Sequence, residues 1–322
     1  MKPFQYVTAA SAASAVKLVV DRGRYLSGGV DLLGEMKEYI AQPKTLVNVK
    51  AIPGLDKIEP GEKVWSIGAN VTVAELEHHA GLKRVFPGLQ QAAAEVASPQ
   101  IRNVATLGGN LAQHSRCWYY RHRDVHCLKK GGDTCYARNG DNRYHSLFTG
   151  NTCISPAVSN LAVVLGALEA TALVQRGQQI LRLSIQELYQ KAWDNPTAHH
   201  SLEHGDLVLK AEIPVLRTRS AYQQISDKAL FDWALASCAV AARMDGKTLR
   251  QARVVLGAVG NVPHQVQAAN DYMEGKPLEE PLAEKVAELL LEDAKPLEGN
   301  AYKLPLAKAL IRRTLMRLAE PI

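Results

Sequence analysis

The stretch ATLGGNLAQHSRCWYYRHRDVHCLKKGGDTCYARNGDNRYHSLFTGNTC, residues 105–153, opens on the diglycine pair Gly108-Gly109 and then runs through four cysteines with almost no apolar periodicity. Four of the chain's five cysteines fall in this one irregular, polar segment. A segment without a hydrophobic stripe cannot order itself by burial, so another device is expected to hold it. The cysteine count is odd, and residues 1–23 lack a basic n-region followed by a continuous apolar core, so a disulfide framework is not expected. The spacing C-x9-C-x7-C-x17-C of Cys117, Cys127, Cys135 and Cys153 points instead to ligation. Four thiolates can hold a [4Fe–4S] cluster or a structural zinc ion. Zinc sites usually bring C-x2-C pairs, and ferredoxin-type runs are absent too. Spacing alone therefore leaves cluster, zinc and unliganded thiols open.

Outside this stretch the chain reads as an ordinary globular protein. Its 322 residues are 47% hydrophobic and 22% charged, room for two domains at about 150 residues each. The apolar run LAVVLGALEATALV (161–174) is too short to span a bilayer and is broken by Gly166 and Glu169. No membrane span is expected, and the chain's own sequence points to the cytoplasm; export would rely on a signal carried by a partner. The net charge of +6 is spread along the chain, with one local run around Tyr119 to Arg123. No nucleic-acid motif accompanies it, so it reads as solvated surface. No Ser/His/Asp or H-E-x-x-H constellation occurs. His78-His79 and His199-His200 read as surface residues, and Cys238 in ALASCAVAA as a small core residue.

The patterning predicts α/β units followed by a different architecture. A helix is expected over 8–20, opened by Thr8, then a strand in RYLSGG, a helix ending at Pro43 and a strand in TLVNVKAI. KVWSIGAN reads as a strand, Thr72-Val-Ala-Glu75 as a capping box, and 87–97 as a helix with Pro87 near its start. SPAVSNLAVVLGALEA suggests a helix, ATALVQRGQQILRLSI a hairpin around Gly177, and LVLKAEIPV a strand. Beyond the charged linker LRTRS, three alternating segments in 220–260 predict a small antiparallel sheet, with helices near 264–274, 281–294 and 301–319 covering it. The boundary is set at 218, giving domains 1–218 and 219–322.

SGGVDLL (27–33) and LGGN (107–110) each place two glycines where a strand is expected to end. Glycine permits positive φ and close approach of backbone N–H groups to a ligand, and successive amides in such turns cradle anions. A plain tight turn is the default reading of either alone. Neither satisfies G-x-G-x-x-G or the G-x-x-x-x-G-K-[ST] phosphate loop.

Taken in order, YLSGGVDLL, SIGANVTVAEL, SPQIRNVATLGGNLA, SPAVSNLAVVLGALEA and LVLKAEIP resemble the FAD-binding subunit of the molybdenum hydroxylase (xanthine dehydrogenase-like) family, and NAYKLPLAKALIRRTL extends the likeness towards the end. The resemblance implies an α+β protein: a PCMH-type FAD-binding domain of two α/β subdomains, then a C-terminal antiparallel sheet covered by helices. It implies that Leu26, Ser27, Gly28, Gly29, Val30, Asp31 and Leu32 hold the FAD pyrophosphate, and that Ala105, Thr106, Gly109 and Asn110 form a second contact loop. Relatives often carry an aspartate at the position of Asn160; an amide can still hydrogen-bond there. Val208 would lie against the flavin ring. The basic residue after the strand at 221–226 is replaced by Gln223 or Gln224, with Lys228 supplying the charge.

The cysteine loop, about residues 113–154, is then an insertion, and the resemblance selects a [4Fe–4S] cluster on Cys117, Cys127, Cys135 and Cys153. Two branches carry one: three-subunit bacterial aldehyde oxidoreductases and 4-hydroxybenzoyl-CoA reductases. The last cysteine just before the Ser-Pro element resembles the first; CLKKGGDTC also resembles the second. The implied role is electron transfer, with no catalytic side chain of its own. A large molybdenum-cofactor subunit would oxidise substrate, a small [2Fe–2S] subunit would relay electrons, and FAD here would pass them to an external acceptor. A stand-alone flavoprotein and a zinc-stapled structural subunit are the rival classes.

Overall fold

The computed structural model describes residues 1–216, 219–228 and 231–320. Eleven strands are present among them, in chain order β1 (Gln5–Thr8), β2 (Gly23–Leu26), β3 (Thr45–Asn48), β4 (Ile58–Glu59), β5 (Val64–Gly68), β6 (Thr171–Arg176), β7 (Gln179–Ser184), β8 (Leu207–Pro214), β9 (Arg219–Ile225), β10 (Ala236–Asp245) and β11 (Thr248–Gly257). They form three sheets.

The first sheet is parallel, in order β1-β3-β2. Its crossovers carry the helices Ala12–Leu18 and Leu32–Lys37, as parallel neighbours require. The expected helix over 8–20 is shorter than predicted: Thr8 ends β1, and Ser11 caps the helix by accepting from Ser14 N. A four-residue edge strand with mostly exposed side chains has too little alternation to be told from a helix start.

The second sheet, in order β4-β5-β8-β6-β7, is antiparallel throughout, with the hairpin β6–β7 turning at Gly177. Thr72 and Glu75 form the expected capping box. The helix Pro87–Ala94 and the apolar helix Asn160–Ala167 join this sheet in the largest core cluster. The pair Gly108-Gly109 does not follow a strand. It lies inside the short helix Leu107–Leu111, capped by Thr106, directly after the helix Pro99–Arg102. The local glycine signal marks a close backbone approach there: a Cβ on Gly108 would press on the Ala69 side chain.

The third sheet, β11-β10-β9, is antiparallel and is backed by helices Gln267–Met273, Glu280–Leu291 and Lys303–Met316 around a second core. Cys238 is fully buried in β10, as expected. The α+β architecture is therefore the one the sequence predicts. Thr218, the expected boundary residue, lies outside the described residues. No helix among the described residues is long and apolar enough to cross a membrane.

Residues 113–154 contain only the single turns Trp118–Arg121 and Leu128–Lys130 as regular structure. The end of the segment is anchored by burial: Leu147 and Phe148 pack into the C-terminal core, each stabilising the contact by about 1.5–3 kcal/mol.

Candidate functional site

A cavity of about 640 Å³ lies between β2 with the turn after it, the segment from Val96 to Arg116, and the loop from Asn195 to Asp206. Every residue from Leu26 to Leu32 lines it, as do Ala105, Thr106, Gly109 and Asn110. The two loops are stitched together. Ser27 Oγ donates to Asn70 Oδ1 at 2.8 Å and lies 3.2 Å from Thr106 Oγ1, while Asn70 Nδ2 donates to Val49 O. The N–H groups of Gly28, Gly29 and Val30 have no acceptor among the described residues, and Gly29 sits at φ +73°. Free amides on a left-handed turn facing a cavity form an anion cradle. In the second loop the N–H groups of Leu107, Gly108, Gly109 and Asn110 donate to Val71 O, Ala69 O, Thr106 Oγ1 and Thr106 O. Its contribution is shape, and at Gly109 a Cβ would meet only Thr106 Oγ1, at 3.1 Å.

The two glycines of the expected binding turns thus act differently. A Cβ on Gly28 would run into the Val104 carbonyl oxygen, so this glycine is required by loop packing before any ligand is considered. Gly109 has protein contact on one side only and faces the cavity.

Four expected site residues do not line the cavity. Val208 is buried in the large core, whereas Leu207 and Leu209, on the opposite face of β8, pack towards the first sheet; alternation along a strand separates them. Asn160 Nδ2 donates to Gln224 Oε1 at 2.6 Å, and Tyr222 Oη donates to the same oxygen. Asn160 lines a small neighbouring pocket with Trp233, which also lines the main cavity. Lys228 is exposed, at the edge of residues that are not described.

The cavity wall contains residues that the sequence reading missed. His199 and His200, expected on the surface, line it. His199 stacks on His114 with centroids 4.0 Å apart and accepts from Ser115 N. Burial pushes both His199 and His200 down, so they are neutral. Asp31, Glu35 and His114 offer ligand atoms within 4.8 Å of one another, but guanidinium groups take this place: Arg116 and Arg121 pair with Asp31. Glu35 accepts from Tyr120 Oη at 2.7 Å and lies 3.0 Å from His114 Nδ1. Burial raises Asp31, but Arg116, Arg121 and the His114 N–H outweigh it and hold it below the usual carboxylate range. Burial likewise raises Glu35, but the His114 contact outweighs it.

The four loop cysteines converge on one small separate cavity, which they line with Lys129, His145 and Tyr119 among others. All four are free thiols. Burial pushes Cys117 up to about 12 and raises Cys153. No three of the four sulfurs lie within 4.8 Å of one another. A tetrahedral zinc site with Zn–S bonds of about 2.3 Å would bring sulfurs to roughly 3.8 Å. Among the described residues no carboxylate lines the cavity; Lys129 Nζ donates to Ala198 O at 2.7 Å, and burial pushes this amine below its ordinary value. Ala198 itself lines the main cavity.

Residues 2–216 match the FAD binding domain in molybdopterin dehydrogenase, and residues 220–318 match the CO dehydrogenase flavoprotein C-terminal domain. The chain is 31% identical over 323 residues to the aldehyde oxidoreductase FAD-binding subunit PaoB of Escherichia coli, covering 98% of each chain. It is 29% identical to the carbon monoxide dehydrogenase medium chain of Afipia carboxidovorans, covering 98% of this chain and 96% of the other. Among solved structures it is similar to quinoline 2-oxidoreductase from Pseudomonas putida 86, with a TM-score of 0.78 at 25% identity over 99% of this chain and 98% of that one. The chain belongs to the family of FAD-binding oxidoreductase subunits of the molybdenum hydroxylases.

Proposed function

We propose that this chain is the electron-transfer subunit of an aldehyde oxidoreductase and carries a [4Fe–4S] cluster beside its FAD. It would assemble with a large molybdenum-cofactor subunit and a small [2Fe–2S] subunit and deliver electrons to an external acceptor. The observation that carries the cluster is the convergence of Cys117, Cys127, Cys135 and Cys153 on one cavity. The aldehyde assignment rests on the likeness to PaoB along nearly the whole chain.

FAD exchanges single electrons with iron–sulfur centres and pairs of electrons with an acceptor. This chain's own residues do the positioning. Gly28, Gly29 and Val30 offer amides to the pyrophosphate, and Thr106 and Gly109 shape the opposite wall. Asn160, Gln224 and Lys228 would act from the Trp233 side, where the small pocket adjoins the main cavity. Val208 would act indirectly, by backing the cavity floor from the core. The four thiolates hold the cluster, and the Lys129 ammonium balances its charge.

With the assembled complex, aromatic aldehydes should bleach the flavin absorbance in the absence of oxygen. A flavin unmoved by aldehydes, together with dehydroxylation of an aromatic thioester driven by a low-potential donor, would replace this reading with a 4-hydroxybenzoyl-CoA reductase-type enzyme.

A further inference from the structure

His145 is 2% exposed, and its Nε2 lies 3.2 Å from Cys117 Sγ inside the cysteine-lined cavity. The residue is clamped on all sides. Its N–H donates to Asn142 O at 2.9 Å, and its carbonyl accepts from Lys303 Nζ at 2.9 Å and from Asn300 Nδ2 at 3.2 Å. The Trp118 ring meets the imidazole edge-on at 5.5 Å. Asn300 and Lys303 belong to the C-terminal NAYK motif, and Lys303, fully buried, spends its ammonium on two carbonyls, those of His145 and Ala258. A motif distant in sequence therefore holds this imidazole in place.

The proton on that imidazole can be located by elimination. Nδ1 is buried with no hydrogen-bond partner among the described residues, so an N–H there would be left without an acceptor, at the usual cost of a buried unsatisfied donor. A hydrogen on Nε2 has the sulfur. Once a metal centre takes Cys117, the thiol proton is gone, and histidine becomes the only possible donor of the pair. His145 and Cys117 also have no third histidine, cysteine or carboxylate ligand atom within 4.8 Å of both, so the imidazole is not set up to share one ion with the sulfur.

We infer that His145 donates a hydrogen bond from Nε2 to the ligating sulfur of Cys117 and thereby raises the reduction potential of the cluster. Hydrogen bonds to cluster sulfurs favour the more negative, reduced state. The assignment rests on the cluster reading above.

The test uses the full complex prepared anaerobically, with His145→Phe and His145→Gln, iron content by elemental analysis, and the potential from a dye-mediated titration followed by electron paramagnetic resonance. His145→Phe should keep its iron and disfavour reduction about tenfold, a shift of roughly 59 mV to more negative potential for one electron. His145→Gln, which retains an N–H donor, should lie nearer the unaltered value. If Phe at this position costs iron while Gln keeps both iron and potential, the need for a donor is shown directly. Equal potentials with iron retained would overturn the hydrogen bond alone, and loss of iron from both variants would overturn it in favour of a ligand or purely structural role. Iron missing from the unaltered complex would overturn the cluster reading first, and this inference with it.

Discussion

Arg121 Nη2 donates to Asp31 Oδ1 at 2.6 Å, joining the turn that follows the first loop cysteine to the glycine turn that lines the large cavity. Arg116 pairs with the same carboxylate, and Tyr120 reaches Glu35 one helical turn further on. The cysteine segment and the glycine turn thus share one partly buried ionic network. Asp31→Asn leaves Arg116 without its carboxylate and Arg121 with Glu35 alone, at 3.7 Å. Breaking a buried pair on one side costs about 3–5 kcal/mol, and this network is only partly buried, so about tenfold weaker flavin binding is expected. Flavin-to-protein ratios after gel filtration, with titration of stripped protein, check this; unchanged retention would contradict the shared network.

Gly28 and Gly109 should respond differently to valine. At Gly28 the new side chain meets backbone at Val104, so thermal stability should fall, and flavin with it. Gly109→Val enters the cavity, and flavin should be lost from a protein whose circular dichroism and melting temperature stay near normal. Full flavin in a folded Gly109→Val protein would remove this loop from the binding site.

Acid should release the flavin through Asp31 and Glu35. Both carboxyls are held below their ordinary range in the folded protein, so the unfolded chain takes up protons first as pH falls. The stabilisation is present above the unfolded values, about 4, and is lost as pH falls through the folded ones. Flavin retention should be level from pH 7 to about pH 4 and decline below it, with Asp31→Asn shifting that decline. A loss centred near pH 6 would point to a histidine instead.

Much of this was legible in the sequence because it depends on local pattern. The Thr72–Glu75 cap, the Gly177 hairpin and the alternation of β9 to β11 are written in neighbouring residues. The cavity-lining loops were legible through ordered resemblance rather than periodicity. What was not legible depends on contacts distant in sequence. His199 looks like surface until His114 stacks on it from 85 residues away. Arg121 sits in a run that composition alone reads as solvated charge and Arg116 lies just before it, yet their partners are at 31 and 35. The short strand β1 and the helical setting of Gly108 were missed because four or five residues carry too little period to read.

Lys303→Met should destabilise the fold without touching the large cavity. It removes the donor to Ala258 O and one of two donors to His145 O, a cost of about 1–3 kcal/mol for unsatisfied buried carbonyls. Urea unfolding of the flavin-loaded chain should show a lower midpoint with an unchanged slope. A midpoint equal to that of the unaltered chain would show that the clamp on His145 is dispensable.

If an iron–sulfur centre beside FAD orders the cysteine segment, iron, acid-labile sulfide, zinc and flavin measured on one anaerobic preparation will show it. The expected result is about four irons and four sulfides per flavin, a broad visible shoulder beneath the flavin bands, and loss of both iron and shoulder in Cys117→Ser but not in Cys238→Ser. One zinc per chain with no sulfide, or full flavin with neither metal, would contradict it.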